Sequence, residues 1–393
     1  MSGPSLTDLK DAYGSWVSPP TRTLRLHSSA AGKPGAPEGP SDMDVHAFEE
    51  GGDEPFVYLA TAGMSTLAIP GPAPRIELVL VMAGRLDQAQ FEALARRLGE
   101  LATVPFQKQV FFAPNMVVGE FALPQFDGKN HLLLADFNIR TADHLPLEPA
   151  VRLLRVTPLF AAEAAIARDI GDLETYERFK LEGINHQDPH RKQAALAEPP
   201  GVAAPAITGD PIAKLWSDIE GWLGSHARPT LDALRPGAGD AAIAELERTL
   251  GVALAPDHRE SLKRHDGRAY LTDYEYLSVA QVQKIWTAKK AAHDAGEFAG
   301  RDVADKGGGV IRNFWWHPGW IPVAEDGAGN LYCIDLVPAW QGKRGQLVRW
   351  ERTSGPFPSP EKSFHQWLAT YRDDLLAGQR YEVDGEGFIN IKP

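Results

Sequence analysis

A proline- and alanine-rich stretch, "AALAEPPGVAAPAITGDP" at residues 194–211, lies almost at the midpoint of this 393-residue chain. It shows no apolar periodicity, and such a composition is typical of a linker between domains. A chain of this length is also expected to divide its hydrophobic core in two. We therefore predict a flexible segment at 1–41, a domain at 42–193, a linker at 194–211 and a second domain at 212–393.

The first domain alternates segments of strand and helix character. Residues 86–102, "LDQAQFEALARRLGELA", predict a helix, because Asp87 and Gln90 form a capping pair and apolar residues recur on one face. Residues 157–184 also have helical character. Strand-like apolar runs occupy 55–69, 75–82, 110–123 and 131–139. This order indicates helices packed on a mainly antiparallel or mixed sheet.

The second domain begins with predicted helices and continues with strands. Ser217 and Glu220 form a capping pair within the first helix, and the last helix is predicted to start at Ser359–Pro360. The first three helices are predicted at 215–224, 239–251 and 255–267. The strands are predicted at 320–326, 331–338 and 346–352. The predicted fold class is therefore α+β, with two modules that each combine a mainly antiparallel or mixed β-sheet with flanking helices.

The formal net charge of −12 argues against one class of partner. Because nucleic-acid binding relies on cationic contacts to phosphates, an acidic chain predicts no direct nucleic-acid partner. The longest apolar runs are of strand size, which predicts no membrane span. The N-terminus lacks a basic and apolar leader, and the single Cys333 cannot form an internal disulfide. We therefore predict a soluble, cytoplasmic and monomeric protein.

No motif in the chain predicts catalysis, a cofactor or a metal site. Ser65 lacks the second glycine of a nucleophile elbow, and Cys333 falls inside an apolar run where a thiol is inert. The turn "AEDGAGN" at 324–330 lacks the alternating ligands of a calcium loop and instead predicts a β-hairpin. The polar cluster "NHQDPHR" at 185–191 contains metal-ligand residue types but is more typical of a solvated helix end. The sequence favours a non-enzymatic protein.

Three tryptophans, Trp315, Trp316 and Trp320, stand within six residues. Tryptophan at regular spacing usually belongs to the core. Neighbouring residues of an extended strand point to opposite faces, however, so Trp315 and Trp316 cannot both point inward from one strand. We therefore predict that one of the tryptophans reaches the surface, where this residue is a favoured interface anchor. An exposed cluster would alternatively suit a carbohydrate-binding module or a hydrolase.

Six segments follow one another in the second domain: "LWSDIEGWL", "IAELERTLG", "LAPDHRESLKRHDG", "WIPVAEDGAGNLYCIDLVP", "GKRGQLVRW" and "SFHQWLATYRDDLLAG". In this order they resemble the SUKH superfamily, typified by the yeast cell-wall-assembly regulator, over about residues 213–378. The family pattern commonly has an aromatic residue where His258 stands.

The first domain resembles a second family through four segments: "DVHAFEEGGDEPFVYLATAGMS", "RIELVLVM", "FFAPNMVVGEFALPQFDGKNHLLLADF" and "LRVTPLFAAEAAIARDIGDLETYERF". These segments are similar to the bacterial form of the Suppressor-of-fused (SUFU) domain, over about residues 40–192. The animal protein of that family has a further C-terminal region that this chain lacks, so the resemblance does not imply its transcription-factor role.

Bacterial members of both families are similar to immunity proteins, which bind and neutralise secreted or contact-delivered toxins. The resemblance therefore implies a poly-immunity protein. An acidic chain would associate quickly with a basic, nuclease-like toxin domain. We predict Trp316 or Trp320 as the anchor for this partner, and Glu325, Asp326 and Asp335 as the carboxylates that engage it. The eukaryotic relatives leave a second interpretation open, an intracellular scaffold or regulator.

Overall fold

The stretch predicted as a linker marks the division of the molecule. In the computed structural model the chain forms two compact units, an N-terminal unit of Met1–Glu198 with Ala299–Arg301 and a C-terminal unit of Pro199–Phe298 with Asp302–Pro393. Ala194 and Leu196 are buried in the N-terminal unit, so the first residues of the predicted linker belong to that unit. Residues 199–208 lie outside the described part of the chain. The structure describes residues 3–16, 18–27, 39–52, 55–69, 75–137, 144–145, 147–198, 209–271, 273–298, 301, 303 and 308–392.

The N-terminal unit is built on one eight-stranded sheet. Its described elements are α1 (Leu6–Trp16), β1 (Arg22–His27), β2 (Asp42–Glu50), β3 (Phe56–Ala62), β4 (Ile76–Ala83), α2 (Gln88–Lys108), β5 (Val117–Val118), β6 (His131–Asp136), β7 (His144–Leu145), β8 (Val151–Leu159) and α3 (Ala161–Leu181). The strands lie in the order β1-β2-β3-β4-β8-β6-β5, and β7 also pairs with β8. Strands β4 and β8 are parallel while β6 and β8 are antiparallel, so the sheet is mixed, as predicted.

Helix α2 covers one face of this sheet and begins where its sequence predicts. Asp87 Oδ1 accepts a hydrogen bond from the Gln90 N–H at 2.8 Å, and Gln90 Oε1 accepts one from the Asp87 N–H at 2.9 Å. The helix buries Phe91, Leu94 and Leu98 against the sheet. This apolar face provides most of the helix's stability, because a helix gains more from packing than from its own propensity.

The N-terminal segment that was predicted to be flexible contributes regular structure. Leu9 and Tyr13 of α1 are buried, and the Tyr13 hydroxyl donates to the Thr61 carbonyl at 2.9 Å. Strand β1 pairs along its length with β2. The prediction is therefore wrong for the described residues up to 27, because these short elements bury their few apolar side chains only against the sheet. Residues 28–38 of the same segment are not among those described.

Strand β8 extends three residues into the segment predicted as helical, and α3 begins after Phe160. In its first turn, Glu163 accepts two hydrogen bonds from the Arg191 guanidinium, at 2.6 and 2.7 Å. Both side chains of this ion pair are almost fully buried. Glu163 also accepts from the N–H groups of Phe160 and Ala194. The Glu163 carboxylate therefore links the residues that follow α3 to the first turn of that helix.

The C-terminal unit is built on a six-stranded antiparallel sheet. Its described elements are α4 (Ile212–His226), α5 (Arg228–Ala233), α6 (Asp240–Leu250), α7 (Pro256–Arg264), β9 (Tyr270–Leu271), β10 (Tyr274–Tyr276), α8 (Val279–Asp294), β11 (Trp320–Glu325), β12 (Leu331–Asp335), β13 (Gln346–Glu351), β14 (Gly355–Pro358), α9 (Phe364–Ala377), β15 (Tyr381–Val383) and β16 (Ile389–Ile391). The sheet has the order β14-β13-β12-β11-β10-β9, and β15 pairs with β16. The two units thus confirm the predicted α+β class.

Helix α4 starts three residues earlier than the sequence predicts. The predicted capping pair therefore lies inside the helix, since the residue before its first turn is Pro211. Glu220 instead makes tertiary contacts, because it accepts hydrogen bonds from Arg264 at 2.6 Å and from His265 at 2.8 Å. The spacing between Ser217 and Glu220 is the same whether Glu220 caps a helix or binds distant residues. The sequence therefore does not distinguish the two roles.

The outermost strand β14 contains two prolines. Pro356 lies opposite Trp350 of β13, and Pro358 lies opposite Val348. Because proline has no backbone N–H, this edge offers fewer donors to any further strand than an ordinary edge would.

His258 is a fully buried histidine in the core of the C-terminal unit. Its ring lies 6.0 Å from that of Tyr276 and 5.1 Å from that of Phe364, measured between centroids. Neither ring nitrogen has a hydrogen-bond partner among the described residues. Burial lowers the pKa of His258 to about 3, from an ordinary value of 6.5. As the pH falls, His258 therefore takes up a proton in the unfolded chain before it does so in the folded chain. The stability that the neutral His258 contributes is fully present above pH 6.5 and is lost as the pH falls toward 3.

We expect His258→Phe to make the C-terminal unit less sensitive to acid. Between pH 7 and pH 5 the wild-type unit should lose about 2 kcal/mol more unfolding free energy than the variant does. Urea unfolding followed by tryptophan fluorescence measures this difference, because Trp16 is the only one of the ten tryptophans that precedes the division. Equal pH dependence of the two proteins would contradict the prediction.

Candidate protein-interaction surface

The tryptophans predicted as partner anchors lie in the interior. Trp316 and Trp320 are both 0% exposed, and Trp315 is also buried. Residues 314–319 form bends and a turn, and the strand begins only at Trp320, so the alternation of a straight strand does not apply to them. Helix α8 covers this region, because its Trp286 Nε1 donates to the Pro318 carbonyl at 2.8 Å. The prediction that one tryptophan reaches the surface is wrong.

Asp335 is also buried and has a structural role. Its carboxylate accepts hydrogen bonds from the Val337 N–H and the Gln346 side chain, both at 2.9 Å. Burial raises the pKa of Asp335 to about 6, against the lowering effect of the bond from Gln346. Because its side chain is 0% exposed, Asp335 cannot contact a partner at the surface of this fold. Its prediction as a partner-binding carboxylate is therefore wrong.

Glu325 and Asp326 are partly exposed at the end of β11. They lead into the turn that joins β11 to β12, which confirms the hairpin predicted at 324–330. Asp326 accepts hydrogen bonds from the Ala328 N–H at 2.9 Å and from the Asn330 side chain at 2.7 Å. Burial raises the pKa of Asp326, but these bonds outweigh it and the net shift is downward. The hairpin therefore presents an ionised carboxylate.

Beside this hairpin lies a pair of partly exposed tyrosines. The rings of Tyr274 on β10 and Tyr332 on β12 are 4.6 Å apart between centroids and meet edge to face at 71°. Tyr332 also packs against the buried Trp367 of α9, at 5.4 Å. A ring supported from beneath and open on one side is a common interface anchor, because tyrosine offers large contact area at a small entropic cost.

Charged groups surround the tyrosine pair. Burial raises the pKa of Tyr274 to about 12, and Asp326 adds to that rise. Arg349 forms an ion pair with Glu351 at 3.1 Å and lies 5.5 Å from the ring of Phe357. We call the six residues Tyr274, Tyr332, Asp326, Arg349, Glu351 and Phe357 the tyrosine surface.

No sequence motif marks the tyrosine surface. Its residues come from four strands and the turn between β11 and β12, and only Arg349 and Glu351 are close to each other in sequence. The one local signal is that Tyr332 alternates with the buried Leu331 and Cys333. That alternation marks a residue on the less covered face of β12, but it does not show which strands lie beside it.

Ser65 and Cys333, the two nucleophilic residues considered in the sequence, lie in the interior. Ser65 is buried, and its hydroxyl donates to Glu77 at 2.7 Å. Burial raises the pKa of the Cys333 thiol far above its ordinary value, which keeps it protonated. Within the described ranges, no three His, Cys, Asp or Glu side chains are grouped closely enough to hold a metal ion. No described helix is long and apolar enough to cross a membrane.

Partly exposed aromatic rings bordered by charged side chains, on neighbouring strands of a sheet, are typical of a protein-interaction module. The comparisons with known families agree with this class. The family model described as Suppressor of fused protein (SUFU) matches residues 39–192, and the model described as SMI1 / KNR4 family (SUKH-1) matches residues 237–370. The chain therefore joins a SUFU segment to an SMI1/KNR4 segment, as the sequence resemblance predicted, and these families indicate a regulatory or protein-interaction module.

Two curated fungal relatives are named as regulatory proteins. The cell wall biosynthesis/cell cycle regulator smi1 of Schizosaccharomyces pombe is 27% identical over 186 residues, which cover 43% of this chain and 37% of the relative. A glucan synthesis regulatory protein of Neurospora crassa is 25% identical over 214 residues, covering 44% and 40%. The chain thus spans less than half the length of these relatives.

Two solved structures show distant likeness to the chain. The structure titled the Sufu-Fu complex has a TM-score of 0.34 and 10% identity, covering 49% of this chain and 93% of the other. The Drosophila Suppressor of Fused structure has a TM-score of 0.37 and 10% identity, covering 49% and 51%. The assignment of residues 39–192 rests on the sequence model of the family.

Proposed function

We propose that the chain is a non-enzymatic immunity protein, which binds and neutralises a toxin domain of a contact-dependent or secreted polymorphic toxin system. It acts in the cytoplasm as a monomer. The tyrosine surface carries the proposal, because it combines anchor rings and carboxylates on a unit whose bacterial relatives resemble immunity proteins. Neutralisation would follow from occlusion of the toxin's active site or substrate groove rather than from chemistry.

The expected partner is a basic, nuclease-like toxin domain. Asp326 and Glu351 offer carboxylates to lysine and arginine side chains, and Glu325 extends this charge along the hairpin. The faces of Tyr274 and Tyr332 accept the same cations through cation–π contacts. The net charge of −12 would also steer a basic protein toward the chain and raise the association rate.

Toxicity rescue tests the proposal. Each toxin-like reading frame that neighbours the gene is expressed with and without the protein, and the pair is then co-purified at low and high salt. We expect growth rescue by a one-to-one complex whose association slows about tenfold as salt rises from 50 to 500 mM. Absence of rescue, with recovery of several unrelated proteins, would exclude immunity.

Tyr332→Ala should weaken toxin binding about thirtyfold, because it removes an interface anchor worth roughly 2 kcal/mol. Tyr332→Phe keeps the ring and should bind nearly as well as wild type. The matched control is Trp222→Ala, which removes a partly exposed aromatic ring on α4, outside the tyrosine surface. Surface plasmon resonance measures the dissociation constants of the wild type and the three variants. If Trp222→Ala weakens binding as much as Tyr332→Ala, the tyrosine surface is not the contact.

The names of the curated relatives favour a second candidate function. These relatives are regulators of cell wall and glucan synthesis, and this chain is similar to part of each. An intracellular scaffold or regulator of this kind would bind several partners weakly through the same surface. It would be recognised in the rescue experiment by partner recovery without protection from any toxin.

A further inference from the structure

A partly exposed arginine stands in the middle of the N-terminal sheet. Arg155 lies on β8, and its neighbours in register are Val79 on β4 and Ala135 on β6. Both neighbours are buried, so the guanidinium rises from an apolar part of the sheet. Removing a cation from water at such a position is costly unless a partner compensates it.

Within the described part of the chain, Arg155 has no carboxylate at ion-pair distance, and its buried Nε has no hydrogen-bond partner. Other arginines of the same unit are paired. Arg152, three residues earlier, donates to both carboxylate oxygens of Asp136 at 2.6 and 2.7 Å. Arg178 pairs with Glu174 at 2.9 Å. Among the residues that the structure describes, Arg155 is thus an arginine of a central strand with no acid at ion-pair distance.

Aromatic rings hold the Arg155 guanidinium in place. Its Cζ atom lies 5.1 Å from the ring centroid of Phe137 and 5.6 Å from that of Tyr176. The Tyr176 hydroxyl shares a hydrogen bond of 2.8 Å with Thr157, which fixes the second ring. A guanidinium that contacts ring faces keeps its N–H edge available, and that edge matches a planar carboxylate.

A histidine completes this cluster. The His186 ring lies 4.8 Å from Tyr176, and its buried Nε2 has no hydrogen-bond partner among the described residues. Burial, together with the smaller effect of the Arg155 and Arg191 charges, lowers the pKa of His186 to about 4, so the ring is neutral near pH 7. The cluster therefore presents one positive charge, since Arg191 is paired with Glu163.

We propose that Arg155, Phe137, Tyr176 and His186 form a binding site for a single carboxylate carried by a partner protein segment. The guanidinium binds the two carboxylate oxygens, and the rings contact the apolar part of the segment. One cation between apolar walls suits a monoanion better than a phosphate dianion, which usually requires several cations. This site lies in the SUFU segment and does not depend on the proposed toxin contact of the C-terminal unit.

A library of random short peptides displayed on phage tests the site with the full-length protein. We expect the selected peptides to contain one Asp, Glu or free C-terminal carboxylate next to an apolar residue. Arg155→Met should weaken their binding at least about tenfold, because it removes a bidentate charged contact. Arg155→Glu should select basic peptides instead. The matched control is Arg96→Met, which changes an exposed arginine of α2.

The outcomes separate the alternatives. Peptides synthesised with amidated C-termini distinguish the two kinds of carboxylate. Loss of binding on amidation indicates a terminal carboxylate, retained binding indicates a side-chain carboxylate, and either result supports the site. Selection of the same peptides by wild type and by Arg155→Met would overturn it, as would stronger binding of phosphopeptides. Calorimetry gives a second readout: Arg155→Met should melt at the same or a higher temperature, whereas a lower one would assign Arg155 a structural role.

Discussion

Replacing Glu163 with alanine should lower the unfolding free energy of the N-terminal unit by about 3–5 kcal/mol. The carboxylate is 0% exposed and accepts both N–H groups of the Arg191 fork. Its loss would leave a buried guanidinium without a counter-charge and would free the N–H groups of Phe160 and Ala194. The residues that follow α3 should therefore detach first.

Hydrogen exchange read by mass spectrometry measures this effect in the full chain, because it reports each unit separately. The matched control is Glu177→Ala on the same helix, where the pair with the exposed Lys180 should contribute less than about 0.5 kcal/mol. The double variant Glu163→Ala/Arg191→Met should recover part of the loss, since it removes the unpaired charge. Equal protection in Glu163→Ala and Glu177→Ala would contradict the assignment.

Trp320→Ala should destabilise the C-terminal unit by about 3–5 kcal/mol, as large-to-small changes in a packed core do. The side chain is 0% exposed and belongs to the unit's main hydrophobic cluster. Urea unfolding followed by tryptophan fluorescence measures the change. Trp222→Ala, at a partly exposed ring of the same unit, should cost much less. A Trp320→Ala protein with full stability but weakened partner binding would restore Trp320 as a surface anchor.

Local signals predicted the elements whose determinants are close in sequence. The Asp87–Gln90 cap begins α2 in the structure, and the acidic turn at 324–330 joins β11 to β12. Gly251 ends α6 with a φ of 72°, a conformation that glycine adopts without strain. In each case the backbone geometry is fixed by residues within one turn of each other.

The candidate site depends on contacts between distant residues, and the sequence did not predict it. An extended chain would place either Trp315 or Trp316 at the surface, but Trp316 lies beneath α8, a helix that the sequence patterns did not predict. Tyr332 becomes part of a surface only once β10 is known to lie beside β11. Arg155 is visible in the sequence as a charge within an apolar strand, but which of the described side chains lie beside it is a property of the folded sheet.

The prolines of β14 bear on how the proposed function works in the cell. A protein that neutralises its target by one-to-one binding must reach the concentration of that target. At high concentration, chains with open sheet edges polymerise by adding strands to one another. Pro356 and Pro358 remove two donors from this edge. Overproduction should therefore yield soluble protein, and replacing both prolines with valine should make the chain prone to fibre formation during storage.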